Sequence, residues 1–169
     1  MKTLGIFTPF LMGTYPGALV SAIYARARAA GLDVLLFRTG SQNASYEQEL
    51  CIERADAWIV ILNPVSTNLL RKIHASGRPI CVIGHDYYMP ELGSVRTDNT
   101  HGIHQAMQHL YDKGHRHFAY IGPLTMDDAL ERQSAFESFV REHTDSTSVL
   151  LKTKDFSYAA GQEATDAAL

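Results

Sequence analysis

Short apolar runs alternate along the chain with longer amphipathic stretches. Four of these runs are almost wholly apolar, as expected for strands of a parallel sheet that is covered on both faces. They span residues 4–7, 34–37, 58–61 and 80–83, and helices are predicted between them near residues 17–30, 46–54 and 67–75. Strands that alternate with helices in this way are typical of βαβ units on a parallel sheet.

A second βα series follows a change of pattern after residue 83. A polar and aromatic segment leads into a brief strand at 94–96 and a helix at 99–113, for which Asp98 and Asn99 are natural N-caps and Gly114 is a natural end. Further strands are predicted at 118–121 and 149–151, with helices at about 129–143 and from 158 onward.

This pattern predicts an α/β fold of two doubly wound lobes with parallel sheets. The first lobe spans residues 1–114 and the second begins at residue 115. Two strands with one helix between them do not bury both faces of a sheet. The last predicted helix runs to Leu169 without a stop signal. We therefore expect the second lobe to be incomplete, as in a chain that is truncated at its C-terminus.

Composition and charge narrow the classes of function. The 169 residues carry a formal net charge of −3, and the 15 Lys and Arg are scattered, so direct contact with nucleic acid is not expected. Cys51 and Cys81 lie in apolar runs, as buried free thiols of a reducing compartment do. Neither a signal peptide nor a membrane-spanning run is evident, which predicts a cytoplasmic protein without a membrane partner.

Ligands of open parallel sheets bind at the carboxyl ends of the strands, so the loops there are the candidate sites. The first loop, residues 8–17, carries Phe10 and Tyr15, which either face a ligand or close the top of the core. Asp86, in the segment after the fourth strand, either binds a polar ligand or ties down a surface loop.

The second series adds three candidate residues at the same edge. Asp98 is a helix cap that is also placed to contact a ligand. Arg132 either reaches toward a ligand with its five donors or forms an i, i+4 pair with Asp128. Phe156 either stacks on a ligand or closes the core.

Motifs for nucleotide binding and catalysis are absent from the sequence. There is no G-x-x-x-x-G-K-[ST] loop, no G-x-G-x-x-G, no G-x-S-x-G and no H-E-x-x-H. His101, His104 and His109 share a predicted helix, but their spacing does not place all of them on one face. The sequence therefore predicts no catalytic residues, no metal, no cofactor and no enzymatic activity.

These residues carry a resemblance to a known family. The segment 94–102, the run from Gly114 to Gly122, and Glu131-Arg132 with Phe136 resemble the ligand-binding domain of the lactose-repressor (LacI) family, as does the tail 155–161. The resemblance implies a type I periplasmic-binding-protein-like fold, in which two lobes close on a ligand between them and the protein forms a homodimer. Such domains normally continue past this chain and cross back to the first lobe.

The resemblance also implies roles for the candidate residues. Arg132 would bind hydroxyls or carboxylates of a small polar, sugar-like effector, and Phe156 would stack on it. The loop around Phe10 and Tyr15 would form the opposing wall, and Asp98 would lie at the edge of the cleft.

Two departures from the family leave the output open. No helix-turn-helix precedes the first strand, so the output domain, whether DNA-binding, cyclase or kinase, is absent from this chain. The first loop is more similar to sensor domains fused to GGDEF-type diguanylate cyclases. A small-molecule sensor is the leading hypothesis. A flavodoxin-like enzyme that binds a nucleotide or flavin, and a dimerisation module without a ligand, are the alternatives.

Overall fold

A computed structural model describes residues 2–39, 46, 49–62, 64–84, 89–123 and 127–167. The chain divides into two compact units, Met1–Arg96 and Thr97–Leu169. The contacts between the helices Asn99–Asp112 and Asp127–Glu142 group residues 97–112 with the second unit. The boundary predicted after residue 114 concerns the lobes of the whole protein and stays a prediction.

The first unit is built around a parallel sheet in the order β2-β1-β3-β4-β5 among the described residues. The strands are β1 (Thr3–Thr8), β2 (Asp33–Arg38), β3 (Ala57–Ile61), β4 (Ile80–Ile83) and β5 (Gly93–Val95). Helix α1 spans Thr14–Ala29, α2 spans Thr67–Ala75, and a 3-10 helix spans Glu49–Arg54. Each strand predicted in this part of the chain is present.

The helix predicted over residues 46–54 is wrong at its start. Tyr46 forms a parallel bridge to Val65, and its ring lies 5.7 Å from that of Phe7. Tertiary packing of this aromatic side chain against the sheet thus holds residue 46 in an extended conformation, and the 3-10 helix begins only at Glu49.

An aromatic stack forms the centre of the first unit. The rings of Phe7 and Trp58 stack with their centres 4.4 Å apart, and both side chains are fully buried. Phe37 packs against them. Trp58 fits because residue 5, its partner on β1, is glycine: a Cβ at Gly5 would lie 2.8 Å or less from atoms of the indole ring. The large side chain of Trp58 therefore requires glycine, which has no side chain, at residue 5.

The Gly5→Ala variant is expected to lose about 1–3 kcal/mol of unfolding free energy, because the added methyl overpacks a ring that has no space to move. The measurement is urea unfolding followed by the fluorescence of Trp58, the one tryptophan of the chain. Gly17→Ala is the matched control.

A Cβ at Gly17, in the first turns of α1, meets only the carbonyl oxygen of Leu11, at 4.0 Å. Alanine is better than glycine inside a helix, so this control should gain up to about 1 kcal/mol. Equal stability of the two variants would contradict the close contact at Gly5.

The second unit contains β6 (His117–Pro123) and β7 (Thr147–Thr153), which pair in parallel. Its helices are α3 (Asn99–Asp112), α4 (Asp127–Glu142) and α5 (Tyr158–Asp166). Phe118, Phe136, Phe139 and Met107 form the core between β6, α3 and α4. The predicted ends of α3 are confirmed, because Asp98 is its N-cap and Gly114 follows it with a φ of 91°.

A polar cluster joins α3 to β7 at the amino edge of this second sheet. Arg116 Nε donates to Asp145 Oδ2 at 2.8 Å, and the Tyr111 hydroxyl donates to the same carboxylate. The Arg116 guanidinium also lies 3.7 Å from the centre of the Tyr111 ring. The hydrogen bond from Arg116, supported by that from Tyr111, holds the pKa of Asp145 below its ordinary value.

A carboxyl with a lowered pKa in the folded state contributes stability that is complete above its unfolded pKa of about 3.9. That contribution is lost as the pH falls through the lower, folded pKa. The melting temperature of the wild-type protein should therefore exceed that of Asp145→Asn at neutral pH, and the difference should be smaller at a pH below the unfolded pKa of about 3.9. A gap that is equal at both pH values would contradict the assignment.

Candidate functional site

The carboxyl edge of the second sheet brings three helix starts together. β6 ends at Pro123 and β7 at Thr153, and α4 and α5 begin shortly after them. α3 ends beside the amino end of β6, so its own start lies at the carboxyl edge as well. The topology thus places the first turns of α3, α4 and α5 around the ends of two strands, where a parallel sheet binds ligands.

Arg132 lies at this edge and is held from two sides. Its Nε donates to Asn99 Oδ1 at 2.8 Å, and its Nη2 donates to Asp128 Oδ2 at 2.8 Å. The side chain remains 34% exposed, and its Nη1 has no hydrogen-bond partner within the described part of the chain. Arg132 therefore forms the i, i+4 pair with Asp128 and still has donors that bond none of the described residues.

Asn99 fixes this arrangement from the neighbouring helix. It is the first residue of α3, is only 7% exposed, and also donates from Nδ2 to Glu131 Oε2 at 2.8 Å. The amide thus joins the starts of α3 and α4 through one buried side chain. The sequence predicts Asn99 only as a possible cap, although a second polar residue directly after a good cap is a signal of another role.

Phe156 lies beside the guanidinium group. Its ring centre is 5.9 Å from Cζ of Arg132, and the side chain is 56% exposed, so it does not close the core. The turn that presents it is fixed by hydrogen bonds, from Ser157 N to Asp155 Oδ1 and from Thr153 Oγ1 to the Asp155 carbonyl. The hydrogen bonds from Ser157 also lower the pKa of Asp155.

Tyr120 supports the same edge from β6. Its hydroxyl donates to the carbonyl of Ala129 at 3.0 Å, which fastens the strand to the first turn of α4. Burial raises the pKa of Tyr120, while the nearby positive charge of Arg132 lowers it in part. The phenol therefore stays protonated and able to donate at physiological pH.

Three other predicted site residues, Asp98, Phe10 and Tyr15, lie in the described part of the chain. Asp98 is exposed and caps α3, since its Oδ1 accepts from His101 N at 2.9 Å. In the first unit, Phe10 is 40% and Tyr15 57% exposed after β1, so neither ring closes the core. Asp86 lies outside the described residues. The structure brings Arg132 and Phe156 together in the second unit, next to the start of the helix that Asp98 caps.

In the residues that the structure describes, no group of three or more His, Cys, Asp or Glu side chains is arranged to hold a metal ion. None of the helices in that part of the chain combines the length and the apolar character needed to cross a bilayer.

Comparison with protein families gives one match, to the model described as periplasmic binding proteins and sugar binding domain of the LacI family, over residues 2–169. A search of curated proteins finds no match. Among solved structures, a LacI family transcriptional regulator from Enterococcus faecium with bound ribose has a TM-score of 0.82 at 24% identity. The match covers 99% of this chain and 63% of that one.

Two other solved structures are similar to the same degree. The Cra transcriptional dual regulator from Pseudomonas putida in complex with fructose 1-phosphate has a TM-score of 0.82 at 22% identity, covering 98% of this chain and 63% of that one. A LacI family regulator from Arthrobacter in complex with lactose has a TM-score of 0.81 at 22% identity, with 99% and 61% covered. The chain thus spans less than two thirds of these relatives, and the predicted fold class is confirmed.

The Asn99→Ala variant tests the buried link between α3 and α4. It should lose about 1–2 kcal/mol of unfolding free energy, because the buried amide of Asn99 makes two part-buried hydrogen bonds, with Arg132 and Glu131, that the variant cannot form. Gln108→Ala is the matched control on α3: its exposed amide bonds only Asp112, and the change should stay within about 0.5 kcal/mol. Urea unfolding followed by circular dichroism measures both, and equal losses would contradict the role of Asn99.

Proposed function

The chain belongs to the family of periplasmic binding proteins and LacI-family sugar-binding domains, and we propose that it is the effector-binding sensor domain of a bacterial transcription regulator. The observation that carries the proposal is the fixed guanidinium of Arg132, which has donors that bond no residue in the described part of the chain, beside the exposed ring of Phe156. The effector is a small, polar, sugar-like molecule, in line with the ribose, lactose and fructose 1-phosphate bound by the similar regulators.

The two side chains suit a polyhydroxylated ligand for complementary reasons. A guanidinium group donates several hydrogen bonds in one plane, which matches adjacent hydroxyl oxygens. A sugar ring also has C–H faces, and an exposed phenyl ring covers such a face without leaving a polar group unpaired. Because Asn99 and Asp128 already orient Arg132, binding does not have to immobilise a long flexible side chain.

Four more residues belong to the proposal as effector contacts. Phe10 and Tyr15 present exposed aromatic surface at the carboxyl edge of the first sheet, where α/β proteins bind ligands. Asp98 has a second carboxylate oxygen besides the one that caps α3. Asp86 is proposed from its place after the fourth strand alone.

The wider setting is part of the same proposal. The similar structures are transcription regulators, which favours DNA binding over a cyclase or kinase as the output, and favours a non-catalytic sensor over a flavodoxin-like enzyme. Homodimerisation, a cytoplasmic location and lobe closure on the effector are further expectations. The similarity of the first loop to GGDEF-linked sensors stays a prediction.

The Arg132→Lys variant tests the site while conserving charge. Lysine lacks the planar donor fork, so effector affinity should fall at least about ten-fold, as when polar partners of a ligand are left unpaired. The effector is first selected in a thermal-shift screen of sugars, nucleosides and flavins, and affinity is then measured by calorimetry. Stabilisation by nucleotides or flavins alone would instead support an enzyme.

Arg141→Lys is the matched control for this measurement. Arg141 lies exposed in the last turn of the same helix, at the end opposite Arg132. Its replacement should leave both the affinity and the melting temperature unchanged. Equal affinity of the Arg132→Lys variant and the wild-type protein would remove Arg132 from the site.

A further inference from the structure

The starts of helices attract anions, and at this edge carboxylate side chains of the protein itself lie near them. Free backbone N–H groups and the helix dipole favour a negative charge at each start. Asp98 Oδ1 accepts from His101 N on α3, and Asp155 Oδ1 accepts from Ser157 N just before α5. Asp127 and Asp128 lie in the first turn of α4. At α3 a carboxylate of the chain therefore occupies a position that a phosphate group of a ligand would use, at α5 the Ser157 hydroxyl accepts from Ala160 N, and at α4 two carboxylates add negative charge to the first turn.

The positive charge of Arg132 is also compensated by carboxylates of the chain. Asp128 Oδ2 lies 2.8 Å from Nη2 of Arg132. Asn99 contacts both Arg132 and Glu131, so a second carboxylate lies close to the guanidinium group. An anionic ligand at Arg132 would have to approach Asp128 or displace it. Arg132 is thus available as a hydrogen-bond donor to neutral oxygens more than as an uncompensated cation.

The balance of charge along this edge is negative. The described ionised residues at the starts of α3 and α4 and around the end of β7 are Asp98, Asp127, Asp128, Glu131 and Asp155 on one side, and Arg96, Arg132, Lys152 and Lys154 on the other. Arg96, Asp127 and Glu131 each have further interactions within the protein. A charged group of a ligand meets this field at short range, where salt screens little.

We infer that the effector is an uncharged polyhydroxylated molecule, and that the Asp128 carboxylate, by pairing with Arg132, makes the site discriminate against phosphorylated or carboxylated sugars. The inference rests on the proposed function and narrows it, since the similar regulators have bound both uncharged sugars and a sugar phosphate. It concerns this chain's own arrangement of Asp98, Asp128 and Arg132.

The test compares ligands that differ only in a phosphate group. Calorimetry at neutral pH measures a panel of pentoses, hexoses and disaccharides beside their phosphorylated counterparts, such as ribose with ribose 5-phosphate and fructose with fructose 1-phosphate. The uncharged member of the bound pair should bind at least about ten-fold more tightly, and its affinity should not depend on salt.

A charge-removal variant makes the test specific to these residues. Asp98→Asn combined with Asp128→Asn keeps a good helix cap and an oxygen acceptor for Arg132, but removes two negative charges. The affinity for the phosphorylated ligand should rise at least about ten-fold in this variant. Asp112→Asn, at the far end of α3, is the matched control and should change neither affinity.

The outcomes separate this inference from the proposed function. Tighter binding of the phosphorylated member, or no gain in the double variant, overturns the inference and leaves the sensor proposal in place. Absence of binding across the whole panel overturns the sensor proposal and this inference with it. Preference for the uncharged sugar together with the gain in the variant supports both.

Discussion

The buried amide of Asn99 is the contact on which the candidate site depends. It accepts from Arg132 and donates to Glu131, two neighbouring residues of α4, and so sets how the start of α3 meets the start of α4. An amide suits this place because it offers a donor and an acceptor at once, without adding a charge to a buried position. Arg132 is oriented before any ligand arrives, and Asp128 completes its pairing.

The same arrangement joins stability and specificity. Side chains that neutralise the helix starts and Arg132 remove the need for counterions at an edge where dipoles and charges converge. We infer that they also decide which ligands fit, because an anion would compete with carboxylates that are already present. An exposed ring such as Phe156 then provides apolar contact that does not depend on charge.

The regular elements were predictable because each depends on local pattern. Apolar runs marked the strands of the parallel sheets, of which β1 and β3 are largely buried, and Asp98 and Gly114 marked the ends of α3 through cap chemistry that acts within a few residues. Tyr46 was misassigned because its conformation depends on Phe7 and Val65, which are distant in sequence. Local sequence propensity does not reflect contacts between residues that are distant in sequence.

The candidate site was predictable only in part for the same reason. Arg132 and Phe156 were found from their positions after strands, but the role of Asn99 depends on a partner 33 residues away on another helix. The observed pairing of Arg132 with Asp128 does not preclude a ligand contact, since the guanidinium has enough donors for both. The number of Arg132 donors that remain for a ligand depends on contacts that only the structure shows.

The most direct test of the account is an NMR titration of the protein with the uncharged sugar that it binds, observing the Nε–H signals of arginine side chains and the side-chain amide of Asn99. The account predicts that the signals of Arg132 and Asn99 shift with ligand concentration, while the Nε–H signal of Arg116, at the opposite edge of the sheet, does not. A shift at Arg116 with no change at Arg132 and Asn99 would contradict it.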